Sequence, residues 1–122
     1  MKLFSFLVLF VGLISCAESQ EKLPQDTYSD AYLIDVRTPQ EFSQGSPDGA
    51  VNIPVDVIGQ NENLLPTDKS EKIVVFCLSG GRSSHAQVIL EEMGYTNVIN
   101  GGTFKKVAEV IKKEKEQKTI KG

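Results

Sequence analysis

Tryptophan is absent, histidine occurs once and cysteine twice in the 122 residues of this chain. With a lone histidine, His85, and few thiols, no closed nitrogen-and-sulfur metal site can be assembled, so neither a metal nor a cofactor is expected. No internal repeat or aromatic stacking stripe is present, and the formal charge is −3. That mildly acidic balance argues against nucleic acid or an anionic lipid surface as partner. No apolar run is long enough to cross a bilayer. The longest, within Met1 to Gly12, covers about 12 residues where roughly 20 are needed, which suits the core of an export signal.

What is present centres on Ile73 to Ser83, IVVFCLSGGRS. Ile73, Val74, Val75 and Phe76 read as a short strand buried on both faces, and Cys77 ends it. Leu78, Ser79, Gly80 and Gly81 are too glycine-rich to continue as strand or helix. Arg82 follows, and Ser83 is expected to cap a helix through His85, Ala86, Ile89, Leu90 and Met93, with Gly94 closing it. Cys77 would then lie at the bottom of a shallow cup, with loop and helix N–H groups converging on its sulfur. The helix N-terminus and the Arg82 guanidinium would both favour a thiolate. A purely structural core cysteine would account for the apolar strand, but for neither the glycines nor the arginine.

Four stretches together, LIDVRTPQEF (33–42), GAVNIP (49–54), VVFCLSGGRS (74–83) and NVINGG (97–102), resemble the rhodanese-like family in content and order. The resemblance implies an α/β domain with a central, mainly parallel sheet and helices on both faces. It implies a sulfurtransferase of the thiosulfate sulfurtransferase type, whose Cys77 carries a sulfur as a persulfide. Leu78, Ser79, Gly80, Gly81, Arg82 and Ser83 would form the cradle for the anion or persulfide, and Asp35 and Arg37 would support it structurally. The implied partners are a small anionic sulfur donor and a thiol or cyanide acceptor, with a thiol protein as a further acceptor, acting on a monomer.

Leu13-Ile14-Ser15-Cys16 resembles the bacterial lipobox. This implies a lipoprotein signal peptide over 1–15, a lipidated Cys16 with a polar tether over 16–25, a rhodanese-like domain over 26–117 and a polar tail over 118–122. Export and anchoring to a bacterial membrane follow, with the lipid as the only membrane contact. Ala17 in place of aspartate favours the outer membrane, facing the periplasm. A plain secretory peptide is the alternative. With Cys16 acylated, Cys77 is the one remaining thiol, and an exported lone thiol needs a reason to be kept.

Elsewhere the pattern is strand and helix in alternation. Tyr32 to Val36 reads as a strand. Thr38, Pro39 and Glu41 combine a cap, a first-position proline and a capping-box carboxylate. Ala50 to Ile53 is a short strand, Val55 to Leu65 a helical turn or two, and Val98-Ile99 a last strand ended by Asn100-Gly101-Gly102. The final helix presents Phe104, Val107, Ala108 and Ile111 on one face, and its KKEKEQK run reads as a frayed, solvated end.

Three departures from the family pattern stand out. Ser46 occupies the place of a usual histidine, Lys106 that of a usual tryptophan (with Phe104 near enough to fill some of the volume), and Arg82 is the only basic residue in the loop. Arg82 could brace loop carbonyls or face the donor. Two rival readings remain open. A low-turnover persulfide carrier or redox and sulfur-sensing module would keep the same loop. A phosphatase or arsenate reductase would use a C-x5-R cradle, whereas Cys77 to Arg82 is C-x4-R, a smaller ring suited to a single sulfur.

Overall fold

The computed structural model describes residues 27–121, and the proposed leader, tether and Cys16 lie outside them. Four strands, β1 (Tyr32–Asp35), β2 (Val51–Asn52), β3 (Ile73–Cys77) and β4 (Val98–Thr103), form one sheet in the order β2-β1-β3-β4. Every pairing is parallel, with Tyr32 opposite Ile73, Ile34 opposite Val51, and Ile73 opposite Val98. The apolar run therefore takes an inner position, where both faces must be covered.

Side chains of β3 alternate between two cores, as the period of a strand requires. Ile73, Val75 and Cys77 face a cluster with Ile34, Val36, Ile53, Ile58, Leu65, Ala86, Leu90 and Tyr95. Val74 and Phe76 face Tyr28, Leu33, Val107 and Ile111. The first core lies under α2 (Gly81–Glu92), the second under α3 (Phe104–Lys121). All five β3 residues are buried. Each large apolar side chain so placed contributes about 1.5–3 kcal/mol. The expected α/β architecture, a parallel sheet covered on both faces, is the observed one.

The short helix α1 (Pro39–Ser43) starts as its sequence indicated. Thr38 caps it, Pro39 opens it, and Thr38 and Glu41 exchange both bonds of a capping box. Between β2 and β3 the chain makes two 3-10 turns, Ile58–Gln60 and Glu62–Leu64. At its far end α2 closes with the paired bonds Tyr95 N–H to Leu90 C=O and Gly94 N–H to Glu91 C=O, a Schellman motif around Gly94.

Three expectations need correcting. The last strand does not stop at Ile99: β4 continues to Thr103 through a register irregularity opposite Val75 and Phe76, leaving Gly101 as the extra residue. A Cβ on Gly101 would lie 2.6 Å from Val107 Cγ2 and 2.9 Å from Val74 Cγ1, so the glycine serves close packing of α3 on the sheet. The charged C-terminal run is not frayed. Helix α3 extends to Lys121, and Glu114 accepts the N–H groups of Tyr28 and Ser29 at 2.8 Å each. Finally, Ser83 does not cap α2; the helix begins three residues earlier than that cap would place it, with Gly80 at the cap position.

Candidate functional site

Cys77 is the last residue of β3, at the C-terminal edge of the sheet, and its side chain is fully buried beneath the turn Leu78-Ser79-Gly80. Gly80 donates its N–H to Sγ at 2.9 Å, and Ser83 donates its N–H at 3.4 Å. The Ser83 hydroxyl lies 3.5 Å from the sulfur. Gly80 can aim its N–H inward because it adopts φ +100, a left-handed conformation that favours glycine. Gly81 begins the helix with open space where a Cβ would be, so the curl of the loop rests on Gly80 and not on both glycines as expected.

The cap residue and the third residue of a 12-residue helix thus point their N–H groups at one sulfur. Burial pushes the Cys77 thiol up. The Ser83 hydroxyl, followed by the N–H groups of Ser83, Gly80 and Ser79, outweighs that burial, and the net pKa is below the ordinary thiol value. The single proton of the Ser83 hydroxyl has two other acceptors in reach, Gly80 C=O at 3.0 Å and Asn100 Oδ1 at 2.8 Å, which compete for it with the thiolate. Asn100 also accepts the Gly102 N–H and donates to the Ser84 hydroxyl, tying β4 to the start of α2. Leu78 is 52% exposed on the rim and Ser79 is exposed beside it.

Arg82 is bound to a carboxylate from another element. Its guanidinium turns to α1 and grips Glu41 with two bonds, Nη1 to Oε1 at 2.8 Å and Nη2 to Oε2 at 3.2 Å. The Arg82 guanidinium, aided by Thr38, holds the Glu41 carboxyl down at about 2. The hydrogen-bond causes of the Cys77 shift accordingly come from the cradle itself.

Asp35 and Arg37 form a buried ion pair. Asp35 accepts from the Arg37 main-chain N–H at 3.0 Å, Nε at 2.9 Å and Nη2 at 2.7 Å. Ser46, in the place of a usual histidine, donates its hydroxyl to Asp35 Oδ2 at 2.8 Å. Burying this ion pair is made tolerable by further hydrogen bonds to both of its members. Arg37 Nη2 donates to Gly45 C=O at 2.7 Å, and the guanidinium lies 3.9 Å from the centre of the Phe104 ring. Arg37, Glu41, Gln44, Gly45, Leu78 and Phe104 line a recess of about 300 Å³ beside the loop.

The structure brings Cys77, Gly80 and Ser83 together around the sulfur, and places Leu78 and Ser79 on its rim. His85 is exposed on α2, as its helical position suggested. Sequence reasoning missed two residues. Glu41 was read only as a cap and Asn100 only as a strand end; each meets its partner across a tertiary contact, so spacing alone carried no signal. Among the described residues, no group of three or more His, Cys, Asp or Glu is placed to hold a metal ion.

Comparison with known proteins agrees with this geometry. The family model described as Rhodanese-like domain matches residues 16–109. Thiosulfate sulfurtransferase PspE of Escherichia coli is 37% identical over 81 residues, spanning 66% of this chain and 78% of the relative. A sulfurtransferase of Allochromatium vinosum is 36% identical, spanning 69% and 76%. A solved rhodanese with anions from E. coli superposes with a TM-score of 0.61 at 38% identity, covering 64% of this chain and 92% of that one. The human single-domain sulfurtransferase TSTD1 gives 0.58 at 28% identity, covering 66% and 83%. The chain belongs to the rhodanese-like domain family and is a sulfurtransferase of the rhodanese type.

Proposed function

We propose that this sulfurtransferase moves a sulfane sulfur from a small anionic donor of the thiosulfate type to a thiol or cyanide acceptor through a persulfide on Cys77. The Cys77 thiolate attacks the outer sulfur of thiosulfate, the S–S bond of the donor breaks, and sulfite leaves with the electron pair. Cys77 then carries an ionised persulfide. Cyanide attacks its terminal sulfur, thiocyanate departs, and the thiolate returns. In both steps negative charge stays over the same donors, and fixed N–H groups stabilise it without reorganising. The observation that carries this reading is the convergence of the Gly80 and Ser83 N–H groups on Sγ, at 2.9 and 3.4 Å. Ser79 and Leu78 are then the side chains that a donor meets at the rim.

The test is steady-state thiocyanate formation from thiosulfate and cyanide. Parallel double-reciprocal lines, with no turnover in Cys77→Ser, are expected. Turnover that survives in Cys77→Ser contradicts the mechanism. The persulfide-carrier reading is favoured by one observation: Arg82 is engaged by Glu41. It is distinguished by stoichiometric loading without multiple turnovers.

The protein acts as a monomer in this reading. The sequence over residues 1–16 supports export, cleavage before Cys16 and attachment to the outer membrane through lipid on that residue, with the domain facing the periplasm.

A further inference from the structure

Arg37 and Glu41 both line the recess beside the Cys77 loop, and Glu41 in turn holds Arg82, so that each guanidinium is matched by a carboxylate. Arg37 is bound to Asp35, and Arg82 to Glu41. These two pairs leave no formal charge to draw in an anion. The Glu41–Arg82 pair differs from the buried one because both of its members reach solvent, at 29% and 36% exposure. It also spans two elements, joining the first turn of α1 to the first turn of α2.

Glu41 does not need its charge for the helix cap. Its Oε1 accepts the Thr38 main-chain N–H at 3.0 Å, a bond that the amide oxygen of glutamine makes equally well at this third helical position. What the carboxylate adds is a two-point hold on Arg82, the only basic residue of the loop. With its carboxyl held down at about 2, Glu41 remains ionised throughout the neutral range.

We infer that Glu41 is a specificity-determining residue, which occupies Arg82 and so weakens the preference of the site for doubly charged donors over weakly charged alkyl persulfides. A dianion such as thiosulfate receives little net attraction from a cation already paired at 2.8 Å, and the adjacent carboxylate repels it. A persulfide R–S–SH forfeits nothing. Cys77 attacks its outer sulfur, the S–S bond breaks, RS⁻ leaves with the electron pair, and the proton stays on the new Cys77 persulfide. The inference rests on the sulfurtransferase reading and sets which donors that chemistry favours.

The experiment compares loading of Cys77 in the full-length protein by thiosulfate and by 2-hydroxyethyl persulfide, as second-order rates followed by quenched mass measurement. Glu41→Gln keeps the cap and frees Arg82. It should raise the ratio of the thiosulfate rate to the persulfide rate about tenfold at low salt, and the rise should shrink as salt screens the freed charge. Arg82→Gln leaves Glu41 exposed and should lower the same ratio. The double variant, neutral at both positions, should return the ratio toward that of the wild type. This ordering of three ratios remains a test even if one single variant fails to fold. A merely structural tie would slow both donors together and leave the ratio alone. An unchanged or reversed ratio in folded, loadable variants overturns the role given to Glu41 and leaves sulfur transfer intact. Absence of loading in the wild type by either donor overturns sulfur transfer itself, and the inference with it.

Discussion

Cys77 is the residue on which the chemistry turns, and its environment opposes two effects. Burial alone would hold the thiol protonated, whereas the Ser83 hydroxyl and three N–H groups stabilise the thiolate and prevail. Thiolate is the reactive form and its fraction grows as pH rises through the pKa. A lowered pKa therefore moves the rising limb of the loading rate toward acid relative to an ordinary thiol. Ser83→Ala removes the largest stabilising contribution and should shift that limb toward alkaline pH, as read by ultraviolet thiolate absorbance against pH. A limb unmoved by Ser83→Ala would mean that the N–H groups alone set the pKa. Cys77, Gly80 and Arg82 could be recognised from residue type and order, since a strand end, a glycine turn and a helix start are local features. Glu41 and Asn100 could not. Glu41 lies 41 residues from Arg82, and Asn100 lies 17 from Ser83, so only the fold brings them to the loop.

Among the elements, β4 shows where local reading was outweighed by packing. Asn100-Gly101-Gly102 has the composition of a strand terminator, yet pairing continues to Thr103, opposite Cys77, by leaving Gly101 out of register. The glycine that looked like a stop permits α3 to approach the sheet. Gly101→Ala would force a methyl between Val74 and Val107, and overpacking of this kind costs about 1–3 kcal/mol. Chemical denaturation should show the midpoint falling with little change in slope. Stability equal to the wild type would show that α3 can retreat without penalty. Helix α3 carries the complementary lesson. Its charge run predicts a solvated end, correctly for most of its side chains, but Glu114 uses its two oxygens to receive the chain at Tyr28 and Ser29. The same composition serves a solvated face or an anchoring one, and the distinction is tertiary. Capping signals were read without error at α1, because Thr38, Pro39 and Glu41 act within one turn.

For the whole molecule, alternating strand and helix patterns were sufficient to infer a parallel sheet with two covered faces. Near-continuous apolar strands allow few other arrangements. The order β2-β1-β3-β4 puts the Cys77 loop at the carboxyl edge of an inner strand, where α/β sheets present their ligands. What composition could not convey was the balance of charge at that edge, because it depends on which carboxylate each guanidinium meets. The measurement that bears most directly on Cys77 as the sulfur carrier is the intact mass of the full-length gene product, recovered from cells, before and after thiosulfate. The untreated spectrum reports on export as well: loss of residues 1–15 with acyl mass on Cys16 is expected, and a soluble product without acyl mass would contradict it. After thiosulfate, a gain of about 32 Da that maps to Cys77, disappears with cyanide and is absent in Cys77→Ser is the expected result. A folded, reduced protein that gains no sulfur from thiosulfate or an alkyl persulfide, or that gains it on a residue other than Cys77, would contradict it.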